Sequence, residues 1–331
     1  MIVVTGGAGF IGSAIVWGLN RQGVDEIVIV DNLNESEKWK NLRALKFRDY
    51  YDRNDFIEMI KKDSVPFTVS KIIHMGACSR TTETDTSYLM KNNFEYSKLL
   101  FEYAMKNRQR FIYASSGATY GDGEYGFGDD DTKLDELRPL NMYGYSKQLF
   151  DQYVKHRNGF KEVVGLKFFN VFGPNEYHKG SMTSKVFKSY NEILKTGKIQ
   201  LFKSEEGSEY ANGDSLRDFV YVKDVVYVIL ELANNYHVNG LFNVGTGRAR
   251  SWNDLANAVF KSMGKEMGGE NIIEYIDMPE ELKGKYQYYT CAKNDKLNGA
   301  GHGRPVNYRS LEDAVDDYVK NYLIPGKYLG D

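Results

Sequence analysis

The chain of 331 residues has two cysteines, Cys78 and Cys291. They lie far apart in sequence, and neither has the neighbours of a zinc or thiol-redox motif, so both are expected to be ordinary thiols and no metal site is expected. A net charge of −2, with the basic residues spread along the chain, argues against nucleic acid or a membrane surface as partner. No apolar run approaches the roughly 18 residues that a membrane-spanning helix requires. The N-terminus enters a strand pattern directly instead of a leader sequence, and the expected location is the cytoplasm. Three consecutive aspartates, Asp129 to Asp131, lack the alternating ligands of a cation loop. Their glycine- and acid-rich surroundings, residues 121–138, are expected to be a solvated surface loop.

What is present begins with a hydrophobic content of 42%, enough to bury one large core or two modest ones. The 25 tyrosines are dispersed and read as half-buried packing residues. The first thirty-two residues organise the rest. Met1 to Thr5 is an apolar run suited to a central parallel strand, and it breaks into Gly6-Gly-Ala-Gly9-Phe10-Ile11-Gly12. Glycines at 6, 9 and 12 permit a tight turn, close approach to a pyrophosphate, and packing of the next helix on the strand. That helix, Phe10 to Arg21, points its N-terminus at the phosphates. A second strand, Glu26 to Val30, ends at Asp31, where a ribose hydroxyl would be read. Asn32 and Lys38 follow in a polar loop long enough to hold a 2′-phosphate, so NADP is the expected cofactor.

Leu45 to Asp49 reads as a third strand and Asp55 to Lys62 as a short helix. Lys71 to Met75 is a fourth strand, with His74 inside it as a packing residue, ending at Gly76-Ala77-Cys78-Ser79, small enough to pass close to a cofactor. Thr84 to Asn107 has helical spacing with Asn92 and Asn93 in its middle, placed to reach the nicotinamide side. Arg110 to Ser115 is a fifth strand and delivers Ser116 to the same carboxyl edge. A helix then opens near Pro139 and runs to about Arg157, with Tyr143 and Lys147 four apart on one face. A tyrosine titrates near pH 10 and serves as a base only if a cation lowers that value, which Lys147 is positioned to do. Ser116 would hydrogen-bond the reacting oxygen, and the three residues form the expected catalytic set.

These residues resemble the extended short-chain dehydrogenase/reductase family. The likeness runs through Thr5 to Gly12, Asp31, Ala114-Ser-Ser-Gly-Ala-Thr-Tyr-Gly121, Tyr143-x-x-x-Lys147, Phe168-Phe-Asn170-Val-Phe-Gly-Pro174, Arg217-Asp-Phe-Val-Tyr-Val222 and Phe242-Asn-Val-Gly-Thr-Gly247. It implies an α/β fold: a Rossmann-type doubly wound parallel sheet of about seven strands with a smaller, discontinuous C-terminal substrate domain. The expected division is 1–170 with 217–245 for the dinucleotide, and 171–216 with 246–331 for the substrate. Asp218 to Val222 and Leu241 to Val244 read as buried strands with a helix, Lys223 to Asn235, between them.

Within the family the likeness is to the branch of epimerases acting on ADP-linked heptose. It rests on Asp31-Asn-Leu with Lys38, Gly76 to Ser79 followed by Thr81-Thr-Glu83, His178-Lys179-Gly-Ser181-Met, and Leu282-Lys-Gly-Lys-Tyr286-Gln287. The resemblance adds Arg53, Met75, Val171 and Lys179 to the cofactor contacts and makes Lys179 a second acid/base. It assigns Asn170, Ser181, Lys188, Phe202, Lys203, Ser204, Glu205, Arg217 and Tyr286 to the substrate; Arg217 is the expected partner of its diphosphate because a guanidinium binds phosphate oxygens bidentately. It also implies a homo-oligomer, a pentamer. Lys188 departs from the pattern, standing where a histidine is expected, and Glu205 to Ser215 resembles an insertion. Gly117-Ala118 replaces the acidic pair of a 4,6-dehydratase. A UDP-hexose 4-epimerase and a non-catalytic NADP-binding protein are the alternatives, opposed by His178-Lys179 and by the intact Ser116, Tyr143 and Lys147.

Overall fold

The computed structural model describes residues 1–331 except 206, 266, 267, 270, 271, 283, 285 and 301–305; Lys283 and Lys285 of the family motif therefore lie outside the described residues. The chain opens with β1 (Ile2–Thr5), α1 (Phe10–Arg21), β2 (Ile27–Asp31), β3 (Asp49–Asp52), α2 (Arg53–Lys61) and β4 (Lys71–His74). Helix α3 (Thr86–Leu89) passes through one π-helical turn, Met90–Glu95, into α4 (Tyr96–Lys106), and β5 (Arg110–Ser116), α5 (Met142–His156) and β6 (Val164–Phe168) follow. Next come β7 (Asn170–Phe172), α6 (Lys185–Thr196), β8 (Lys198–Phe202), β9 (Leu216–Tyr221), α7 (Val222–Asn234) and β10 (Gly240–Val244). The chain continues with β11 (Ala249–Ser251), α8 (Trp252–Ser262), β12 (Ile272–Ile276), α9 (Asp295–Ala300) and α10 (Leu311–Tyr318).

Among the described residues, seven strands form one sheet in the order β10-β6-β5-β4-β1-β2-β3, every neighbouring pair parallel. Except in β3 at the edge, successive residues of each strand go to opposite and largely buried faces, which is why those runs read as continuously apolar. Val3, Val28, Val30 and Ile72 join Phe56, Leu100 and Phe150 on one face, while Val4, Ile27, Ile29 and Ile73 join Ile15, Leu19, Val226 and Ile229 on the other. Each such side chain is worth ~2 kcal/mol of burial. The order reverses between β1 and β4, where Thr5 lies opposite His74; in such a fold, ligands bind beyond the carboxyl ends at this point.

Two smaller sheets, β11-β9-β7 and β12-β8, stand beside the large one. The strand that starts near Arg217 belongs to the first of these and pairs with β7 and β11, whereas Gly240–Val244 closes the edge of the large sheet against β6. The third strand is Asp49–Asp52 rather than Leu45 to Asp49, because pairing with β2 begins only at Val28 opposite Asp49. Leu45 and Phe47 instead pack onto the core from the approach to it. The acid-rich loop is not wholly solvated: Asp129 is 7% exposed and accepts the Asn243 N–H at 2.8 Å, and burial raises its carboxyl above the usual range.

One turn is fixed from far away. Residues Tyr177–Met182 form a 3-10 segment broken at Gly180, whose φ of 56° is left-handed and suits glycine. The buried Asn175 just before it donates to Ser13 Oγ at 3.0 Å and accepts the Leu329 N–H at 2.9 Å. The Tyr177 hydroxyl donates to Lys327 O at 2.8 Å. Asn41 donates to Ala8 O at 2.9 Å and Asn175 O at 3.0 Å, so the glycine turn and the 177–182 turn share a clamp.

Candidate active site

A cleft of about 1600 Å³ runs along the carboxyl edge of the large sheet and on toward β8 and α6. At its sheet end, Gly6 takes a φ of 65°, and a Cβ at Gly12 would fall 2.0 Å from Gly6 O, so the turn admits no side chain there. Gly9 caps α1 without a side-chain hydrogen bond, which leaves the first-turn N–H groups for an anion. Asp31 closes β2, its carboxylate accepting Ala8 N–H at 2.9 Å and Asn32 N–H at 2.7 Å. Lys38 bonds both Asp31 Oδ1 at 2.7 Å and Asn32 O at 2.6 Å. A bare, unblocked helix end beside an acidic ribose reader fits a dinucleotide.

Phe10, Ile11, Asn32, Arg53, Met75, Gly76, Ala77, Cys78, Ser79, Asn92 and Val171 line the same cleft. Arg53 hydrogen-bonds Asn92 Oδ1 across it. Asn93, in the π-helical turn, does not reach the cleft; it clips Cys78 at both N and O, 2.8 and 3.0 Å, and donates to Ser146 Oγ at 3.0 Å. Behind Gly76 lies His74, 2% exposed, between Thr5 Oγ1 at 2.6 Å and Ser97 Oγ at 2.8 Å. Ser97 donates to Asn93 O, so it accepts from His74 Nε2–H, and Nδ1 accepts from Thr5. Burial, reinforced by the Lys147 charge, pushes this ring down to about 3, and it packs as a neutral group.

Ser116, Tyr143 and Lys147 meet at the middle of the cleft. Asn141 caps α5 by accepting Gly144 N–H at 2.8 Å, which sets Tyr143 in the first turn. Burial pushes the Tyr143 hydroxyl up and Ser116 pulls it back, while the Lys147 ammonium donates to Ala114 O at 3.0 Å. Burial lowers Lys147 itself to about 8, with Asp151 one turn on opposing the shift. Asp151 is fully buried; it accepts Tyr113 OH at 2.8 Å and Ser115 Oγ–H at 2.7 Å, and pairs with the equally buried Lys167 at 3.2 Å.

Lys179 enters from the broken turn, its Nζ 5.2 Å from the Phe10 ring centre. Burial lowers it from the ordinary lysine range, Glu176 resists, and Lys188 adds to the fall. His178 is lowered by burial to about 4.

At the far end, Asn170, Ser181, Lys188, Phe202, Lys203 and Tyr286 line the cleft, and Ser204, Glu205 and Arg217 do not. Arg217 is 5% exposed, with its guanidinium 4.7 Å from the Tyr286 ring centre and 5.6 Å from that of Trp252. It stands behind the aromatic wall, because β9 is drawn into the second sheet. Sequence reasoning missed Lys185 and Glu192, two turns apart on α6 and bridged at 2.8 Å. The signal was there: Ser184 as cap, followed by buried Val186, Ser189 and Ile193 at helical spacing. Among the described residues no group of three His, Cys, Asp or Glu is placed to hold a metal, and no helix is long and apolar enough to cross a membrane.

Comparison with known proteins brings three results. The profile of the NAD dependent epimerase/dehydratase family matches residues 2–245. An ADP-L-glycero-D-manno-heptose-6-epimerase of Nitratidesulfovibrio vulgaris is 54% identical over 323 residues, 98% of each chain. Among solved structures, the enzyme of that same name from Helicobacter pylori superposes with a TM-score of 0.80 at 27% identity, over 97% of this chain and 95% of the other. A UDP-glucose 4-epimerase of Thermotoga maritima, bound to UDP-glucose, follows at 0.78 and 25%, over 98% and 99%.

Proposed function

The chain belongs to the NAD dependent epimerase/dehydratase family, and on that footing we propose that it interconverts ADP-D-glycero-D-manno-heptose and ADP-L-glycero-D-manno-heptose by inverting C6″, a step of lipopolysaccharide core synthesis. The observation that carries the reading is the pair of proton-transfer groups, Tyr143 and Lys179, that one cleft receives from two unrelated elements. Inversion by transient oxidation requires removal and return of hydrogen on opposite faces of one carbon, so the ketone must turn over, and each orientation needs its own acid/base. A bound nicotinamide supplies the hydride acceptor and donor. Tyr143 takes or returns the hydroxyl proton in one orientation, Ser116 holds the oxygen, and Lys147 holds the ribose. Lys179 does the proton work in the other orientation. The first-turn N–H groups of α1 bind the cofactor pyrophosphate and Asp31 its ribose.

NADP is the proposed cofactor, since Lys38 stands over the Asp31 carboxylate where a 2′-phosphate would arrive. Lys188 and Lys203 are proposed for the substrate diphosphate, and Arg217 supports them through Tyr286. A cytoplasmic homopentamer completes the proposal on family resemblance, and sedimentation would measure it.

The test is incubation of the purified protein with ADP-D-glycero-D-manno-heptose, the two epimers being resolved by NMR, together with identification of the nucleotide that co-purifies. Approach to an epimer mixture without net cofactor consumption is the expected result. Turnover of UDP-galactose and none of the ADP-heptose would overturn the reading in favour of the 4-epimerase.

A further inference from the structure

Glu176 is a carboxylate with no exposed surface and has neutral hydrogen-bond donors. It accepts the Ser184 hydroxyl at 2.6 Å, the Ser184 N–H, and the Gly173 N–H at 3.4 Å. A buried anion is costly without a countercharge. Burial raises the Glu176 carboxyl above the ordinary range, and the charge of Lys179 with the Ser184 and Gly173 donors resists; Lys179 lies in the same turn, its backbone N–H bonding Glu176 O at 3.0 Å. Lys188 follows Ser184 by one turn of α6, its N–H bonding Ser184 O at 3.1 Å, and lines the same cleft as Lys179, whose ammonium its like charge disfavours. The remaining surroundings are the Phe10 ring of α1 beneath the ammonium, His178 with Lys38 and Asp31 beyond it, Lys185 with its partner Glu192, and the phenols of Tyr177 and Tyr318 against Glu176.

We propose that Glu176 is a positioning residue that keeps Lys179 charged between turnovers, and that Lys188, standing where a histidine is expected, opposes it and brings the proton within reach of release. The inference rests on the reading of Lys179 as the second acid/base. When Tyr143 has accepted the C6″ hydroxyl proton, the turned ketone draws its proton from Lys179 Nζ, and the site resets by exchange of one proton with solvent. Glu176 ensures that the proton is there, and Lys188 keeps it from being held too tightly.

The experiment measures acylation of Lys179 by acetic anhydride against pH, read by mass spectrometry, beside the pH profile of epimerisation, in wild type, Glu176→Gln and Lys188→Met. Glu176→Gln keeps an acceptor for Ser184, and its labelling midpoint and rate limb are expected to move to lower pH by about one unit, with Lys188→Met moving both upward. Midpoints that coincide with wild type in both variants would overturn the proposal and leave Glu176 a structural group. If Glu176→Gln does not fold, the Lys188→Met midpoint decides alone: raised, it supports the proposal; unmoved, it overturns it. Lys179→Met separates the two readings. Wild-type epimerisation in that variant removes the second-base assignment itself, whereas an inactive Lys179→Met with unmoved midpoints elsewhere removes only the role of Glu176.

Discussion

Tyr143 and Lys179 reach one cleft from backbones of opposite character. Tyr143 sits in the first turn of a 15-residue helix, capped locally by Asn141 and anchored two turns on by Asp151 inside the core. Lys179 sits on a short 3-10 segment broken at Gly180, held by side chains and tail residues distant in sequence. Repetition secures the first position, since each turn of α5 repeats the bond before it. Coincidence of remote partners secures the second, and each partner lost there is felt directly. The distinction matters for the proposed inversion, in which both groups would have to stay in register with one carbon while the substrate turns.

The comparison is tested most severely at the two groups themselves. Tyr143→Phe and Lys179→Met should each lower the epimerisation rate by about 10²–10⁴, with NADP affinity retained because the Gly6 to Gly12 turn is untouched; steady-state rates and nucleotide titration measure both. A full-rate variant on either side would reduce the cleft to one acid/base.

Their supports come next. Asn175→Ala removes the bonds to Ser13 and Leu329 and places alanine at a φ of 76°, and should cost roughly 3 kcal/mol by lost hydrogen bonds and strain, with activity falling further than stability alone explains. Asn141→Ala removes one helix cap and should cost only ~1 kcal/mol. Urea midpoints beside specific activities give the contrast, and equal losses would erase it.

Acid sharpens the picture of the sheet side. The folded His74 titrates at about 3 against an ordinary 6.5, so its contribution is complete above the unfolded value. Below pH 6.5 the unfolded chain binds a proton that the folded chain refuses, and the contribution declines with falling pH until about 3. Between pH 6.5 and 5 the loss from this ring should be about 2 kcal/mol. In His74→Asn that part of the pH dependence should vanish from urea unfolding, and an unchanged slope would reject it. The smallest effect belongs to Lys38→Ala, which should lower the preference for NADP over NAD by about tenfold, the loss of one charge-assisted contact. Cofactor affinities of the variant and wild type decide it.

The part of the molecule that repeats locally was legible beforehand. The alternation of Val3 with Val4 and of Ile72 with Ile73, the glycine turn and the span of α1 from Phe10 to Arg21 all follow from neighbours in sequence. The third strand was read too early because its tyrosines and aspartates, at a sheet edge, look less like a strand than Leu45 and Phe47 before them. Arg217 was read as facing the cleft, yet its side is set by pairing with β7 and β11, which no local pattern encodes. The partner of Lys147 was hidden for a related reason: spacing puts it with Tyr143 on one face of α5, but only the tertiary fold brings Ala114 O, on a strand 33 residues earlier, to its ammonium.

The clamp on the Lys179 turn also sets an order in time. Leu329 closes on Asn175 across 154 residues, and a ribosome adding about 5–20 residues per second leaves roughly eight to thirty seconds between the two. For that interval the nascent chain already carries the glycine turn, Tyr143 and Lys147, while the turn bearing Lys179 lacks its anchor. The groups proposed to grip the nucleotide are thus made before the anchor of the turn proposed to complete the inversion, and that anchor is a contact formed late in synthesis.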